Sequence, residues 1–293
     1  MAETIIDTLV TEFVYRTRAD QLKGLDKQLG QVQGGLTKAA GLFTAIGTAA
    51  VGAFAVAAKA AIDWESAFTG VRKTVDASED EFARIEASLR RMAREEIPIG
   101  HTEIAGIAEA AGQLGIQTEN IEGFVDVMAK LGVTTNMTAE SAATQLARFA
   151  DITQMSQDDF DRLGSTIVGL GNNMATTEAE LVEMSLRLSG AGKLVGLSEH
   201  QILAFAGALS SVGLESEAGG TAFSRVWAEM QAAIQSGAEE INTFAKVAGV
   251  TRDEFIYAFG RDASDAVLLF LDGLKGMVDT GGERPCRVRK PRV

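Results

Sequence analysis

The stretch LGSTIVGLGNNMATTEAELVEMSLRLSGAGKLVGLSEHQILAFAGALSSVGLESEAGGTAFSRV (residues 163–226) carries the pattern that decides the fold. Thr177 and Glu180 have the spacing of a helix-capping box, in which the hydroxyl accepts a free backbone N–H and the later side chain reaches back. Ser198 and Gln201 repeat this spacing. The apolar residues that follow recur every three or four positions in two stripes: Ile202, Phe205, Leu209 and Val212; Phe223, Trp227, Met230 and Ile234. Each stripe predicts an amphipathic helix that must pack against another helix.

The same signals extend over the whole of residues 63–277. Further capping pairs are Ser78/Glu81, Ser156/Asp159, Ser236/Glu239 and Thr251/Glu254. Further apolar stripes are Ile121, Phe124, Val125, Met128 and Leu131, and then Phe160, Leu163, Ile167 and Leu170. Glycine-containing segments between them predict helix ends at residues 112–115, 169–171, 190–196, 213 and 219–220. We therefore predict an all-α core domain over residues 63–278, built as a bundle of short antiparallel helical hairpins.

A different periodicity precedes this domain. Apolar residues repeat every seven positions in two registers, which predicts one long coiled-coil-like helix over residues 19–62 that runs on to Trp64. Its larger side chains form a predicted oligomer seam: Leu22, Leu25, Leu29, Val32, Leu36, Phe43, Ile46 and Trp64. Residues 1–18 are rich in β-branched and aromatic types and read as a strand or extended arm, with a short helix as the alternative.

Residues 39–58 form a run of twenty residues without a charge, mostly Ala and Gly. A run of this length could span a bilayer, but its low Leu and Ile content would make insertion marginal. Small residues suit close helix packing in a membrane and in a narrow protein bundle alike. Both interpretations stay open here, and the membrane interpretation predicts conditional, transient insertion.

Charge is unevenly distributed along the chain. The net charge is −13, and residues 61–280 hold 34 acidic against 16 basic side chains, so the domain should repel nucleic acid phosphate. Residues 279–293 carry five basic side chains and two of the three prolines. We predict a disordered basic tail there, produced by a frameshift or a truncation, and no specific nucleic-acid binding.

No catalytic constellation is found in the sequence, and we predict that the chain is not an enzyme. The two histidines, His101 and His200, lack the partners of a metal-binding motif and are expected at the surface near helix starts. Residues 190–193 resemble a phosphate loop only briefly, because Leu194 stands where a Ser or Thr is required. The single Cys286 excludes an internal disulfide. No metal or other cofactor is expected.

Two motifs carry a resemblance to a known family. The stretch AAIDWESAFTGVRKTVDAS (residues 60–78) resembles the entry motif of tail tape measure proteins of tailed bacteriophages, in which an apolar helix runs into an aromatic–Glu pair. The stretch IAEAAGQLGI (residues 107–116) resembles the Gly-Gln-Leu-Gly signature of that family. The matching motif residues are Trp64, Glu65, Gly112, Gln113, Leu114 and Gly115. The resemblance covers roughly residues 55–277.

The resemblance implies a structural role in the virion. Proteins of this family set tail length during assembly in the host cytoplasm, then lie in the lumen of the virion tail and leave it during genome delivery. It implies self-association in a helical bundle and contact with the tail tube protein, tail assembly chaperones and baseplate hub. The host inner membrane is a further partner that the resemblance suggests, through residues 39–58.

Family members are usually much longer than 293 residues. We therefore expect the chain to be the N-terminal part of a length ruler, or a prophage fragment of one. The alternative from the residues themselves is a membrane-active, pore-forming or holin-like helical protein, based on residues 39–58.

Overall fold

The fold is all-α, as the sequence predicts. We describe a computed structural model of the chain over residues 49–279, which contain twelve α-helices and no strand. The helices are α1 (Ala49–Thr74), α2 (Glu79–Arg91), α3 (His101–Gln113), α4 (Ile121–Thr134), α5 (Ala139–Thr153), α6 (Phe160–Asn173), α7 (Glu178–Leu194), α8 (Glu199–Ser211), α9 (Ser216–Ser236), α10 (Glu240–Ala248), α11 (Arg252–Arg261) and α12 (Ala263–Asp279). The predicted arm, most of the seam and the basic tail lie outside the described residues.

The chain divides into two compact units between Ile62 and Asp63. The described part of the first unit is the beginning of α1, Ala49–Ile62. The second unit contains the rest of α1 and the eleven other described helices.

Helices α2 to α9 form two layers. The even-numbered helices pack in order, α2 on α4, α4 on α6 and α6 on α8. The odd-numbered helices pack in the same order, α3 on α5, α5 on α7 and α7 on α9. Consecutive helices are joined by short turns. Each even-numbered helix and the odd-numbered helix that follows it form a hairpin, and each hairpin stacks on the next. The arrangement resembles that of helical repeat proteins, in which each unit buries its apolar face only against its neighbours.

Along one end of the array, hydrogen bonds connect the turns that join one hairpin to the next. Thr118 Oγ1 donates to the Asp76 carbonyl (2.8 Å), and Gln157 Oε1 accepts the Gln117 N–H (2.8 Å). The Gln157 amide donates to the Gly115 carbonyl (3.2 Å), and the Lys193 ammonium donates to the Thr153 carbonyl. The bonded partners are 40 to 42 residues apart in the chain. This regular separation shows that one hairpin follows another about every 40 residues.

Four of the six capping boxes are confirmed, those begun by Ser78, Thr177, Ser198 and Thr251. Ser156 caps a single 3-10 turn through the Asp158 N–H. The Ser236/Glu239 prediction is wrong, because Ser236 is the last residue of α9 and its hydroxyl donates to the Ala232 carbonyl (2.8 Å). The prediction that Val212 belongs to an apolar stripe is also wrong, because this residue follows α8 and its side chain is 73% exposed. The other stripe residues are buried or half-buried.

Glycine plays two roles, and the sequence does not separate them. Gly115, Gly196 and Gly213 end helices with positive φ angles, as predicted. The predicted ends at residues 190–192 and 219–220 are wrong, because those glycines lie inside α7 and α9. A Cβ on Gly192 would meet the Ile202 side chain at 2.7 Å, so this glycine allows close helix packing.

The last three helices form a small bundle in which each packs against the other two. Phe244 stacks on Phe255 and meets Phe270 edge-on. The Gln201 amide donates to the Asp262 carboxylate (3.1 Å), which joins the start of α8 to the turn before α12. The three-helix bundle therefore covers the last hairpin of the array.

We expect Gln157→Ala to lower the free energy of unfolding by about 1 to 2 kcal/mol, because it removes the three hydrogen bonds of this side chain to the preceding turn. The control is Gln235→Ala at an exposed position of α9, which should change stability by less than about 0.5 kcal/mol. Urea unfolding followed by circular dichroism measures both. Equal stability of the two variants would show that the tie between turns contributes nothing.

Candidate assembly site

Trp64 is placed inside the helical array. Its side chain is 2% exposed, and its indole N–H donates to Glu86 Oε1 on α2 at 2.9 Å. Phe68, one turn further along α1, stacks on it with ring centroids 5.8 Å apart. The His101 ring, at the start of α3, lies perpendicular to the Trp64 ring with the two centroids 6.2 Å apart. Trp64 therefore joins α1 to the next two helices.

An arginine completes this contact from α2. The guanidinium carbon of Arg90 lies 4.5 Å from the centre of the Trp64 ring, within the range of a cation–π interaction. Arg90 Nε also donates to Glu86 Oε1 (3.0 Å), so one carboxylate holds both the indole and the guanidinium. Partial burial by itself would raise the pKa of the Glu86 carboxyl, but the hydrogen bonds from Trp64 and Arg90 outweigh it and lower this pKa below its ordinary value.

A second arginine repeats the arrangement two turns further along α1. Arg72 lies over the Phe82 ring, 4.8 Å from its centre, and forms a two-point ion pair with Glu79 at 2.8 and 3.0 Å. Phe82 in turn meets Phe68 edge-on. We call the set Trp64, Phe68, Arg72, Phe82, Glu86 and Arg90 the entry cluster.

The Gly-Gln-Leu-Gly motif lies at the end of α3, where it packs against the end of α1 at Thr74. A Cβ on Gly112 would come within 2.8 Å of the Thr74 carbonyl, so only glycine lets α3 approach the end of α1 this closely. Gly115 has a φ of +77°, and the next N–H, of Ile116, donates back to the Ala111 carbonyl at 3.0 Å. This pattern is a Schellman helix end.

The remaining motif residues have smaller roles. Gln113 bonds to Glu109 one turn earlier, and Leu114 packs half-buried on the core. Glu65 is exposed, and its backbone carbonyl accepts a bond from Thr69 Oγ1. The two motifs are thus far apart in sequence, yet both fix the segment from Trp64 to Thr74 against α2 and α3.

Trp64 was also predicted in the oligomer seam, and the structure places its side chain in the core of its own chain. The other seven seam residues lie outside the described part, so the seam stays a prediction. Glu86 and Arg90 were not singled out from sequence. Their spacing of four positions on one helix is a common ion-pair spacing, and nothing local shows that a tryptophan 22 residues earlier completes the set.

Residues 56–62 of α1 present apolar side chains to solvent. Val56 is 71% exposed and Ile62 64% exposed, and the four alanines between them are exposed as well. Along residues 49–279, no helix is both long and apolar enough to cross a membrane. The described part also contains no group of three or more His, Cys, Asp or Glu side chains placed to hold a metal ion.

Stacked helical repeats build extended binding surfaces, and the described helices form an array of this kind. Residues 86–284 match the family described as phage-related minor tail protein, and since this is more than half of the chain, the chain belongs to that family. The sequence-based recognition of a phage tail protein is therefore confirmed.

A probable tape measure protein of Halomonas phage phiHAP-1 is 29% identical to this chain over 175 residues. The match covers 56% of this chain and 20% of the phage protein, so it concerns about a fifth of that relative's length. No solved structure matches the chain.

Glu86→Gln tests the entry cluster, because the stability that this substitution removes should depend on pH. Because the folded pKa of Glu86 lies below the unfolded value of about 4.3, its contribution to stability is present above that pH and lost as pH falls through the folded pKa. We expect a loss of roughly 1 kcal/mol at pH 7, which shrinks toward zero as the pH falls below the folded pKa of Glu86. Urea unfolding of the variant and of Glu95→Gln, an exposed control, measures this. A pH-independent difference would contradict the assignment.

Gly112→Ala should destabilise the chain by about 1 to 3 kcal/mol, because the new methyl group meets the Thr74 backbone. Gly106→Ala on the same helix is the matched control: a Cβ there meets nothing within 4 Å, so it should stabilise by roughly 0.5 to 1 kcal/mol. Thermal unfolding measures whether each variant has a lower or a higher melting temperature than the unchanged chain. Stabilisation by both substitutions would rule out the close approach of α3 to α1.

Proposed function

We propose that this chain is part of a tail tape measure protein, a scaffold that sets tail length during assembly and leaves the tail with the genome. The observation that carries this proposal is the 175-residue similarity to a probable tape measure protein. Family membership supports the tail location. Because the similarity covers a fifth of that relative, the activity of the whole protein is part of the proposal.

The beginning of α1 supports a role in self-association. A helix whose Val56, Ile62 and intervening alanines face solvent gains free energy when another helix covers it, at about 25 cal/mol for each Å² of apolar surface buried. We propose that copies of the chain bundle through this part of α1 and through the seven-residue repeat before it. The rise of 1.5 Å per residue would then convert helix length into tail length.

The entry cluster would give this bundle a fixed end. Its contacts and the close approach at Gly112 hold residues 64–74 against α2 and α3. In the proposal the array stays folded at one end of the ruler during assembly in the host cytoplasm, where it meets tail tube, chaperone and baseplate hub proteins. Exit through the tail toward the host inner membrane belongs to the same proposal.

The test is tail length in a phage whose tape measure gene contains this sequence. Deleting residues 22–42, three seven-residue repeats, should shorten the tail by about 32 Å, and duplicating them should lengthen it by the same amount. Electron microscopy of many particles measures both. Whole repeats preserve the seam, so assembly itself should continue. Tails of unchanged length in both phages would refute the length-setting role.

A further inference from the structure

Helix α11 of the last bundle carries an aromatic ring that is open to solvent. Tyr257 is 71% exposed and has the largest side chain among the exposed apolar residues of the described part. Asp253 lies one turn earlier on the same side of the helix. Long side chains on a helix lean toward its N-terminus, so the ring is expected over the turn that holds Asp253. We define the α11 face by the five exposed residues of this helix, which are Asp253, Glu254, Tyr257, Gly260 and Arg261.

An aromatic ring beside a carboxylate already holds an arginine elsewhere in this structure. The entry cluster does so twice, with Arg90 over Trp64 and paired with Glu86, and with Arg72 over Phe82 and paired with Glu79. The π face of the ring attracts the guanidinium, and the carboxylate accepts its N–H groups. Tyr257 and Asp253 offer the same two groups to a further arginine.

The charged side chains of α11 other than Asp253 have partners of their own. Arg261 pairs with Asp265 at 3.0 Å, and Arg252 donates to the Gly237 carbonyl at 2.8 Å. Glu254 accepts the N–H and the hydroxyl of its capping residue, Thr251. Among the described residues, no arginine or lysine lies over the Tyr257 ring, and none pairs with Asp253. The ring and the carboxylate therefore need an arginine from outside residues 49–279.

The segment that follows α12 contains such arginines. Residues 280–293 carry five basic side chains and one acidic side chain, whereas residues 239–279, from the start of the last bundle to its end, carry eight acidic and four basic ones. The segment and the bundle therefore attract each other. Arg284 and Arg287 are the first two arginines of the segment, and they flank Cys286.

This segment starts within reach of α11. Gly273 of α12 is in contact with the Val247 carbonyl at the end of α10, and the turn of residues 249–251 leads from there into α11. Asp279 lies six residues beyond Gly273, or about 9 Å of helix. The seven residues from Asp279 to Cys286 extend to about 25 Å, which is enough to return to α11. Because the segment is attached to α12, its effective concentration at this surface is on the order of millimolar.

We propose that the segment around Cys286 docks on the α11 face of its own chain. One of the two flanking arginines, Arg284 or Arg287, lies over the Tyr257 ring and pairs with Asp253. The segment needs no secondary structure for this contact, since a single side chain makes both interactions. The inference does not depend on the length-setting role.

Disulfide formation in the full-length chain tests the contact with the native thiol as reporter. Gly260→Cys adds a thiol to the α11 face at a position where a Cβ meets nothing within 4 Å. Thr243→Cys is the matched control, because this exposed residue of α10 lies one turn before the Val247 contact with α12. With oxidised glutathione, the intramolecular disulfide to Cys286 should form roughly fivefold faster in Gly260→Cys than in Thr243→Cys. Equal rates, or disulfides that join two copies only, would overturn the proposal.

Removing the two groups of the site supplies the second test. In the Gly260→Cys chain, Asp253→Asn and Tyr257→Leu should each slow disulfide formation by roughly threefold, because each removes one of the two contacts to the arginine. The control Asp272→Asn removes an exposed acid of α12 and should leave the rate unchanged. Circular dichroism checks that each variant is folded.

Equal slowing by Asp253→Asn and Asp272→Asn would show a general attraction between the segment and the acidic bundle, and would overturn docking at Tyr257. An unchanged rate with Tyr257→Leu would overturn it as well. Neither result affects the tail-length test, which changes residues 22–42 alone.

Discussion

The structure depends on the stacking of hairpins that cannot bury their apolar stripes alone. Helix α5 shows this most clearly, since it packs against α3, α4 and α7 and exposes only Glu140, Arg148, Asp151 and Ile152. Its neighbours are short helices of 13 to 17 residues, which are marginal in isolation. Their stability therefore comes from the next hairpin, and the ties between turns keep successive hairpins in register.

Helix α1 is likewise stabilised by packing on its neighbours, and the entry cluster provides these contacts. Aromatic rings supply the apolar area, while two arginines and two carboxylates satisfy the polar atoms around the rings. Gly112 then brings the α3 backbone against the end of α1. Within one chain, the segment from Trp64 to Thr74 is held along its length, whereas the apolar residues from Val56 to Ile62 remain exposed. That contrast is why we propose that the earlier segment binds other copies.

Much of this fold follows from local sequence signals. Capping boxes and stripes with a helical period depend on residues within one or two turns, so most helix starts and buried faces are predictable from them. The role of a glycine is harder to predict, because Gly115 ends a helix through its own φ angle, whereas Gly192 is required by a side chain on another helix. The entry cluster was likewise only half predictable. Trp64 was found by resemblance, while Glu86 becomes its partner only after the chain folds back.

The central claim, that a stacked array holds the chain together, is tested most directly by native-state hydrogen exchange of the full-length protein. Mass spectrometry of peptides should show the slowest exchange in α5 and α7, which have neighbours on several sides, and faster exchange in α11 and α12. In a stacked array, protection declines toward the ends because each unit is stabilised only by its neighbours. Uniform exchange across all helices, or the slowest exchange in α11 and α12, would contradict this account.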